Sequence, residues 1–309
     1  MIINPLTMKF HKFYLLLFFT GLLVGCKSIP PEKIINNNFP DFLIEGHRGA
    51  RGLSPENTIP SMIRAIDDGA NVLELDIQIS KDKQVVVTHD AYLSPKLVLL
   101  SNGEKIAENS DDEYIIHKMD YDSIRKFKLG MLPQNRFPRQ QSINTYIPLL
   151  GELIDSVETY TSKNNLSKIF YNIEIKSNPE KDGHYQPEPK VLMPLVMNVL
   201  NNKNIDKRFY IQSFDVRQIQ EVRANYPNVP VGFLTGNKKK TFEENIESIG
   251  FMPEIYSPHF SLVTKELIEK CHQKAIKIIP WTVNTIKEIE NLRELGVDGI
   301  ITDFPNLVK

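Results

Sequence analysis

Val72-Leu73-Glu74-Leu75-Asp76-Ile77-Gln78-Ile79 alternates without a break, aliphatic at Leu73, Leu75, Ile77 and Ile79 and polar or acidic at Glu74, Asp76 and Gln78. Successive side chains of a strand point to opposite faces, so one face of this strand is apolar and the other carries two carboxylates and an amide. Only Ser80-Lys81-Asp82-Lys83 separates it from Gln84-Val85-Val86-Val87-Thr88-His89. A connection that short cannot make a parallel crossover, so the two runs form an antiparallel hairpin. A turn centred on Asp82, or just before it, sets His89 opposite Glu74 and Val87 opposite Asp76, within a residue or two of register. In a barrel the aliphatic row packs beneath helices, the acidic row faces the axis, and the hairpin returns a histidine to the rim.

Working outward, short apolar strands are expected near Phe42–Gly46, Phe170–Ile175, Arg208–Gln212, Pro230–Leu234, Glu254–Tyr256, Ile276–Pro280 and Gly299–Thr302. Helical patterns cover Glu56–Asp68, Leu149–Ser162, Pro189–Asn201, Val216–Asn225, Thr264–Lys274 and Thr285–Leu295. Eight strands with helices between them predict an α/β fold, a (β/α)8 TIM barrel. An open doubly wound sheet would bring a glycine-rich phosphate loop, which the chain lacks. Ser54-Pro55-Glu56-Asn57 reads as the start of the first helix, with Ser54 as N-cap, Pro55 at N1 and Glu56 in the first turn. From Ala91 to about Tyr146 the rhythm stops for longer than an ordinary loop allows, and about 91–146 is expected to be an insertion over the active face.

The chain has 309 residues, a formal net charge of -1 and 41% hydrophobic content, enough apolar material for one large core. Without a basic excess, no nucleic-acid partner is expected. Two cysteines cannot make a disulfide framework. Met8-Lys9-Phe10-His11-Lys12 is a short basic start, followed by an apolar run from Phe13 to Val24. That run is short of the roughly 20 residues of a spanning helix, and reads as a secretory signal peptide over residues 1–25. Its end, Leu23-Val24-Gly25-Cys26, resembles the bacterial lipoprotein cleavage box. That resemblance implies an exported cell-envelope protein held to a membrane by a lipidated Cys26. Residues 26–40, rich in proline and asparagine, are expected to be a tether, and 41–309 the barrel domain.

Glu74 and Asp76 on one strand face are costly to bury unless a cation sits between them. Asn172, Glu174 and Lys176 form a matching row on the third barrel strand. Three converging carboxylates make a hard oxygen-ligand site suited to one divalent cation, Ca²⁺ or Mg²⁺, rather than Zn²⁺. A purely structural ion-pair network with Arg48 and Lys176 is the competing reading. His47 and Arg48 directly follow the first strand, where barrels carry catalytic groups. With His89 returning to the same rim, two histidines beside a cation supply a general base and a general acid near neutral pH. Arg48 and Lys176 would neutralise charge developing on a phosphate.

His47-Arg48-Gly49, Pro55-Glu56-Asn57-Thr58, Glu74-x-Asp76, Val86-x-x-His89-Asp90 and Glu174-x-Lys176 follow the order and spacing of the glycerophosphodiester phosphodiesterase family, which the chain resembles over nearly its whole mature length. Gln212-Ser213-Phe214, Trp281-Thr282-Val283-Asn284 and Gly299-Ile300-Ile301-Thr302-Asp303 are similar as well. The resemblance implies a phosphodiesterase barrel with His47 and His89 as the acid–base pair. It implies Glu74, Asp76 and Glu174 as metal ligands, Arg48 and Lys176 on the phosphate, and Glu56 near the site. Trp281 is a candidate apolar wall for the substrate, with plain core packing as the alternative. His184 is read as pocket lining or loop surface and His259 as pocket wall. Cys271-His272 is read as packing or surface, and Lys238-Lys239-Lys240 as a solvated loop.

The expected activity is metal-dependent hydrolysis of a glycerophosphodiester to glycerol 3-phosphate and an alcohol. A phospholipase or lysophospholipase D-like action on lipids is the alternative within the same chemistry. A lipoprotein that binds glycerophosphodiesters without cleaving them is the rival from another class.

Overall fold

The computed structural model of the protein describes Met1, residues 39–110 and residues 112–308. Residues 2–38, which hold Cys26, the expected signal peptide apart from Met1 and the expected tether as far as Asn38, lie outside the described residues. β1 (Leu43–Gly46) leads to α1 (Ile59–Asp67), β2 (Val72–Ile79) and β3 (Val85–Val87). The strands β4 (Val98–Leu99) and β5 (Lys128–Leu129) bracket α2 (Tyr121–Ile124). Alternation then sets in, with α3 (Leu150–Lys163), β6 (Phe170–Ile175), α4 (Pro189–Asn201), β7 (Phe209–Ser213), α5 (Val216–Asn225) and β8 (Val231–Thr235). It continues through α6 (Phe242–Ile249), β9 (Ile255–Pro258), α7 (Lys265–Gln273), β10 (Lys277–Ile278), α8 (Ile286–Leu295) and β11 (Gly299–Thr302).

Eight of these strands pair in parallel, in the order β11-β1-β2-β6-β7-β8-β9-β10, with β3 antiparallel on β2. Hydrogen bonds from Asp298 N to Ile278 O and from Ile301 N to Pro280 O bring the two ends together, so the sheet nearly closes into a (β/α)8 barrel. The alternation of β2 is obeyed. Leu73, Leu75, Ile77 and Ile79 join the apolar layer beneath the helices. On the axis Leu43, Val72, Phe170, Tyr210, Ile255, Ile279 and Ile301 fill the lower barrel, with Phe39 packed against them. The carboxylates stand above this plug, toward the C-terminal ends of the strands.

Three elements depart from expectation. The first helix starts later than Glu56: its N-cap is Thr58, whose side chain accepts from Ser61 N, and not Ser54. Asn57 has φ +56°, in the left-handed region, which a helix cannot include. Glu56 and Asn57 are thereby released from the helix and turned toward the site. In the hairpin Ile77, Gln78 and Ile79 face Val87, Val86 and Val85, so the turn centres on Asp82 as expected and the pairing is one residue from the expected one, inside its allowance. Packing chooses the register: Val87 joins the layer beneath the helices and Val86 the second cluster described below. His89 lies two residues beyond the ladder rather than opposite Glu74. The helix α6 was not anticipated, although Thr241 and Glu244 form a reciprocal capping box and Gly250 closes the helix in the left-handed conformation.

Residues from Leu93 to Ile147 build a cluster of their own, with Val86, Val98, Ile116, Tyr121, Ile124 and Leu129 at its centre. This segment reaches the first loop of the barrel and the residues after its last strand: Gln141 N donates to Leu53 O, Gln140 Nε2 donates to Arg51 O, and the Phe137 ring lies 6.1 Å from that of Phe304.

Candidate active site

The site is assembled at the C-terminal ends of β1, β2 and β6. Glu74 and Asp76 project from one face of β2, and the parallel register sets Asp76 beside Glu174 on β6. All three are buried, and one oxygen from each lies within 4.8 Å of the others. Burial, then Asp76 and Glu174, push the Glu74 carboxyl well above the usual range. Burial raises Glu174 too, against Lys176. Asp76 moves the other way, because Lys176 and Arg48 outweigh its burial. Glu74 Oε1 has no hydrogen-bond partner among the described residues. A buried carboxylate oxygen without a donor, inside a ring of like charges, is what a cation would relieve. The donor set is all oxygen, which fits a hard divalent ion. The structural alternative is present in part: Lys176 Nζ lies 3.3 Å from Asp76 Oδ1 and pairs with Glu174 Oε1.

Arg48 is held by its backbone and its side chain at once. It sits at φ +52°, its N–H donates to Glu74 Oε2 at 2.7 Å, and its Nε lies 3.1 Å from Asp76 Oδ2. Its guanidinium also donates to Glu56 Oε1. Asn57 Nδ2 donates to Asp76 Oδ2 at 2.8 Å, and Asp76 N returns a bond to Asn57 Oδ1. The Pro55-Glu56-Asn57-Thr58 turn is therefore a clamp on Asp76 and Arg48 as well as a helix start.

His47 ends β1, and its Nδ1 lies 2.7 Å from Asp303 Oδ1. Asp303 takes three further bonds, from Arg51 Nε at 2.8 Å, Arg51 NH2 at 3.1 Å and Asn284 Nδ2 at 2.7 Å. His47 and Arg51 outweigh burial and hold the Asp303 carboxyl well below its usual range, so it is an acceptor and His47 Nδ1 is the donor. Burial first, then Arg51, depress the His47 pKa from 6.5 to about 3, so the imidazole is neutral with Nε2 as its basic atom. His89 is more exposed and pairs through Nδ1 with Asp90 Oδ1 at 2.7 Å.

One cavity of about 300 Å³ is bordered by His47, Arg48, Glu74, His89, Glu174 and Lys176. Its apolar side is formed by Trp281 and Phe214, whose rings meet edge to face at 5.3 Å. Arg136, from the long segment after β3, also borders it. Asp76 and Glu56 stand just behind, through their contacts with Arg48. His259 packs against the far side of Trp281 at 5.2 Å. His184 is outside the cavity and contacts Lys118. Cys271 is buried packing, and His272 contacts Asp298 at the surface.

Sequence reasoning did not single out Arg51 or assign Asp303 a role. It also passed over Glu45, fully buried on the axis below the site, where Asn172 Nδ2 and Tyr210 OH donate to it. Burial lifts the Glu45 carboxyl to about 7. The signal available for Glu45 was its place in an otherwise apolar strand, two residues before His47.

The chain matches a family model described as the glycerophosphoryl diester phosphodiesterase family over residues 47–307. It is 28% identical over 280 residues to a glycerophosphodiester phosphodiesterase of Caldanaerobacter subterraneus subsp. tengcongensis, covering 86% of this chain and 98% of that one. Among solved structures, a Silicibacter pomeroyi protein designated a candidate glycerophosphoryl diester phosphodiesterase superposes with a TM-score of 0.76. It is 27% identical, and the match covers 87% of this chain and 93% of the other. An Oleispira antarctica phosphodiesterase in complex with the product sn-glycerol-3-phosphate has the same fold. There the TM-score is 0.67 at 20% identity, covering 86% of this chain and 94% of that one.

Proposed function

The chain belongs to the glycerophosphoryl diester phosphodiesterase family, and from that premise we propose that it hydrolyses glycerophosphodiesters to glycerol 3-phosphate and an alcohol, with a divalent cation held by Glu74, Asp76 and Glu174. The observation that carries this reading is the meeting, at one cavity, of a buried acidic triad with two differently supported histidines. Bound at the triad, Ca²⁺ or Mg²⁺ would neutralise charge on the phosphate oxygens.

The chain's own groups supply the rest. Arg48 and Lys176 border the cavity as cations and hold the phosphate between them. His47 Nε2 accepts a proton from the attacking water as the new P–O bond forms; if the neighbouring glycerol hydroxyl attacks instead, a cyclic phosphate forms and water opens it to glycerol 3-phosphate in a second step. His89 gives a proton to the oxygen of the departing alcohol as the old P–O bond breaks. Asp303 keeps His47 in the required tautomer and orientation. Trp281 and Phe214 cover the glycerol carbons and exclude water from one side of the phosphate.

The test is glycerol 3-phosphate release from a panel of glycerophosphodiesters, with and without chelator. Activity should vanish on chelation and return with Ca²⁺ or Mg²⁺, while Glu74→Gln should not respond to either ion. Equal rates in chelator and in added cation would remove the metal from this reading. Lysophosphatidylcholine in the same panel separates action on lipids. Binding of a diester without product release would favour the non-catalytic alternative.

A further inference from the structure

Beside His89 lies a second cavity of about 330 Å³, and among the described residues only His89 and Lys176 border both. Its walls come from the loop after β6 and from the first residues after His89. Two contacts tie the loop after β6 to the long segment after β3: Tyr185 OH donates to Asp112 Oδ1 at 2.6 Å, and Lys118 Nζ lies 3.0 Å from His184 Nδ1. Among the bordering side chains only that of Ala91 lacks a polar atom. One group is unsatisfied. Gln78 is 2% exposed and donates from Nε2 to His89 O, yet its Oε1 has no hydrogen-bond partner among the described residues. A buried amide oxygen left unpaired favours a ligand that brings a donor. At the rim, Lys181 Nζ stands 4.8 Å from the Tyr185 ring centre and offers a cation to any acceptor.

We propose that this second cavity receives the leaving alcohol, and that it selects small polar head groups carrying an N–H or O–H over the quaternary ammonium of choline. The inference rests on the phosphodiesterase reading above. If His89 protonates the departing oxygen, the alcohol leaves on the side of His89 away from the acidic triad, into this space. An ethanolamine or glycerol head can donate to Gln78 Oε1, whereas a trimethylammonium cannot. A site built to hydrogen-bond a group discriminates strongly against an analogue that lacks it.

The experiment compares kcat/KM for glycerophosphoethanolamine, glycerophosphoserine and glycerophosphocholine, which share one glycerol phosphate half. The expected preference for ethanolamine over choline is about tenfold or more. Gln78→Met should bring that ratio close to one while leaving inhibition by glycerol 3-phosphate, which occupies only the main cavity, unchanged. Since Gln78 also bonds the His89 carbonyl, Lys181→Ala gives an independent check: it should lower turnover of the serine diester, whose carboxylate it would meet, relative to the ethanolamine diester. A wild-type ethanolamine-to-choline ratio near one overturns the proposal. So do variants that change all three substrates equally, or that alter glycerol 3-phosphate inhibition. Product release from none of the three diesters overturns the phosphodiesterase reading itself, and this inference with it.

Discussion

His47 and His89 border the same cavity but are supported differently, and in the mechanism proposed above that difference divides their roles. His47 is largely buried and locked through Nδ1 to Asp303, with its basicity depressed by burial and by Arg51. His89 is about a third exposed and linked to the adjacent Asp90. His47→Ala and His89→Ala should each reduce kcat by about 10²–10⁴ while each variant stays folded and unfolds cooperatively. Wild-type rates in both purified variants would end the acid–base assignment. Arg51 tests the electrostatics separately. Removing its charge in Arg51→Gln relieves repulsion of protonated His47 and raises the His47 pKa from about 3 toward 6.5. A base acts only when deprotonated, so its activity fails as pH falls through its pKa. The acid limb of the kcat/KM profile should therefore move to higher pH in this variant. If the limb stays where it is in the wild type, a group other than His47 titrates there.

At the scale of elements, the start of α1 shows how a local pattern can be satisfied in two ways. Ser54-Pro55-Glu56 has the composition of a helix start, yet the chain uses Thr58 and spends Glu56 and Asn57 on Arg48 and Asp76. Thr58→Ala should cost about 1 kcal/mol by denaturant midpoint. Ser54→Ala should cost much less, since the Ser54 hydroxyl has no partner among the described residues. Equal losses would return the cap to Ser54. The hairpin makes the same point about register. Its existence followed from a four-residue gap, whereas the pairing of Val87 with Ile77 was settled by which apolar layer each valine could enter.

For the whole molecule, the barrel joins residues that are remote in sequence, and residues 2–38, which hold most of the segment expected to export and anchor it, lie outside the described residues. Cys26→Ser should move the protein from the membrane fraction to the soluble fraction without changing its specific activity. Retention in the membrane fraction would reject the lipid anchor. Strand count, parallel topology and the acidic face of β2 were legible because alternation is a local property, written in adjacent residues. The triad was legible for the same reason, once two such strands were taken as neighbours. Asp303 and Arg51 were not. His47 and Asp303 meet because β1 pairs with β11, Gly46 opposite Thr302, across 256 positions of sequence. No short-range pattern encodes that contact; it exists only when the sheet curls back on itself. The sequence alone thus determined most candidates for the proposed chemistry and the faces of β2 and β6 on which the acidic ones lie. Tertiary structure decided the rest: the pairing of β1 with β11 buries His47 and sets Asp303 to orient it, and the loops after β3 and β6 open a second cavity beside His89.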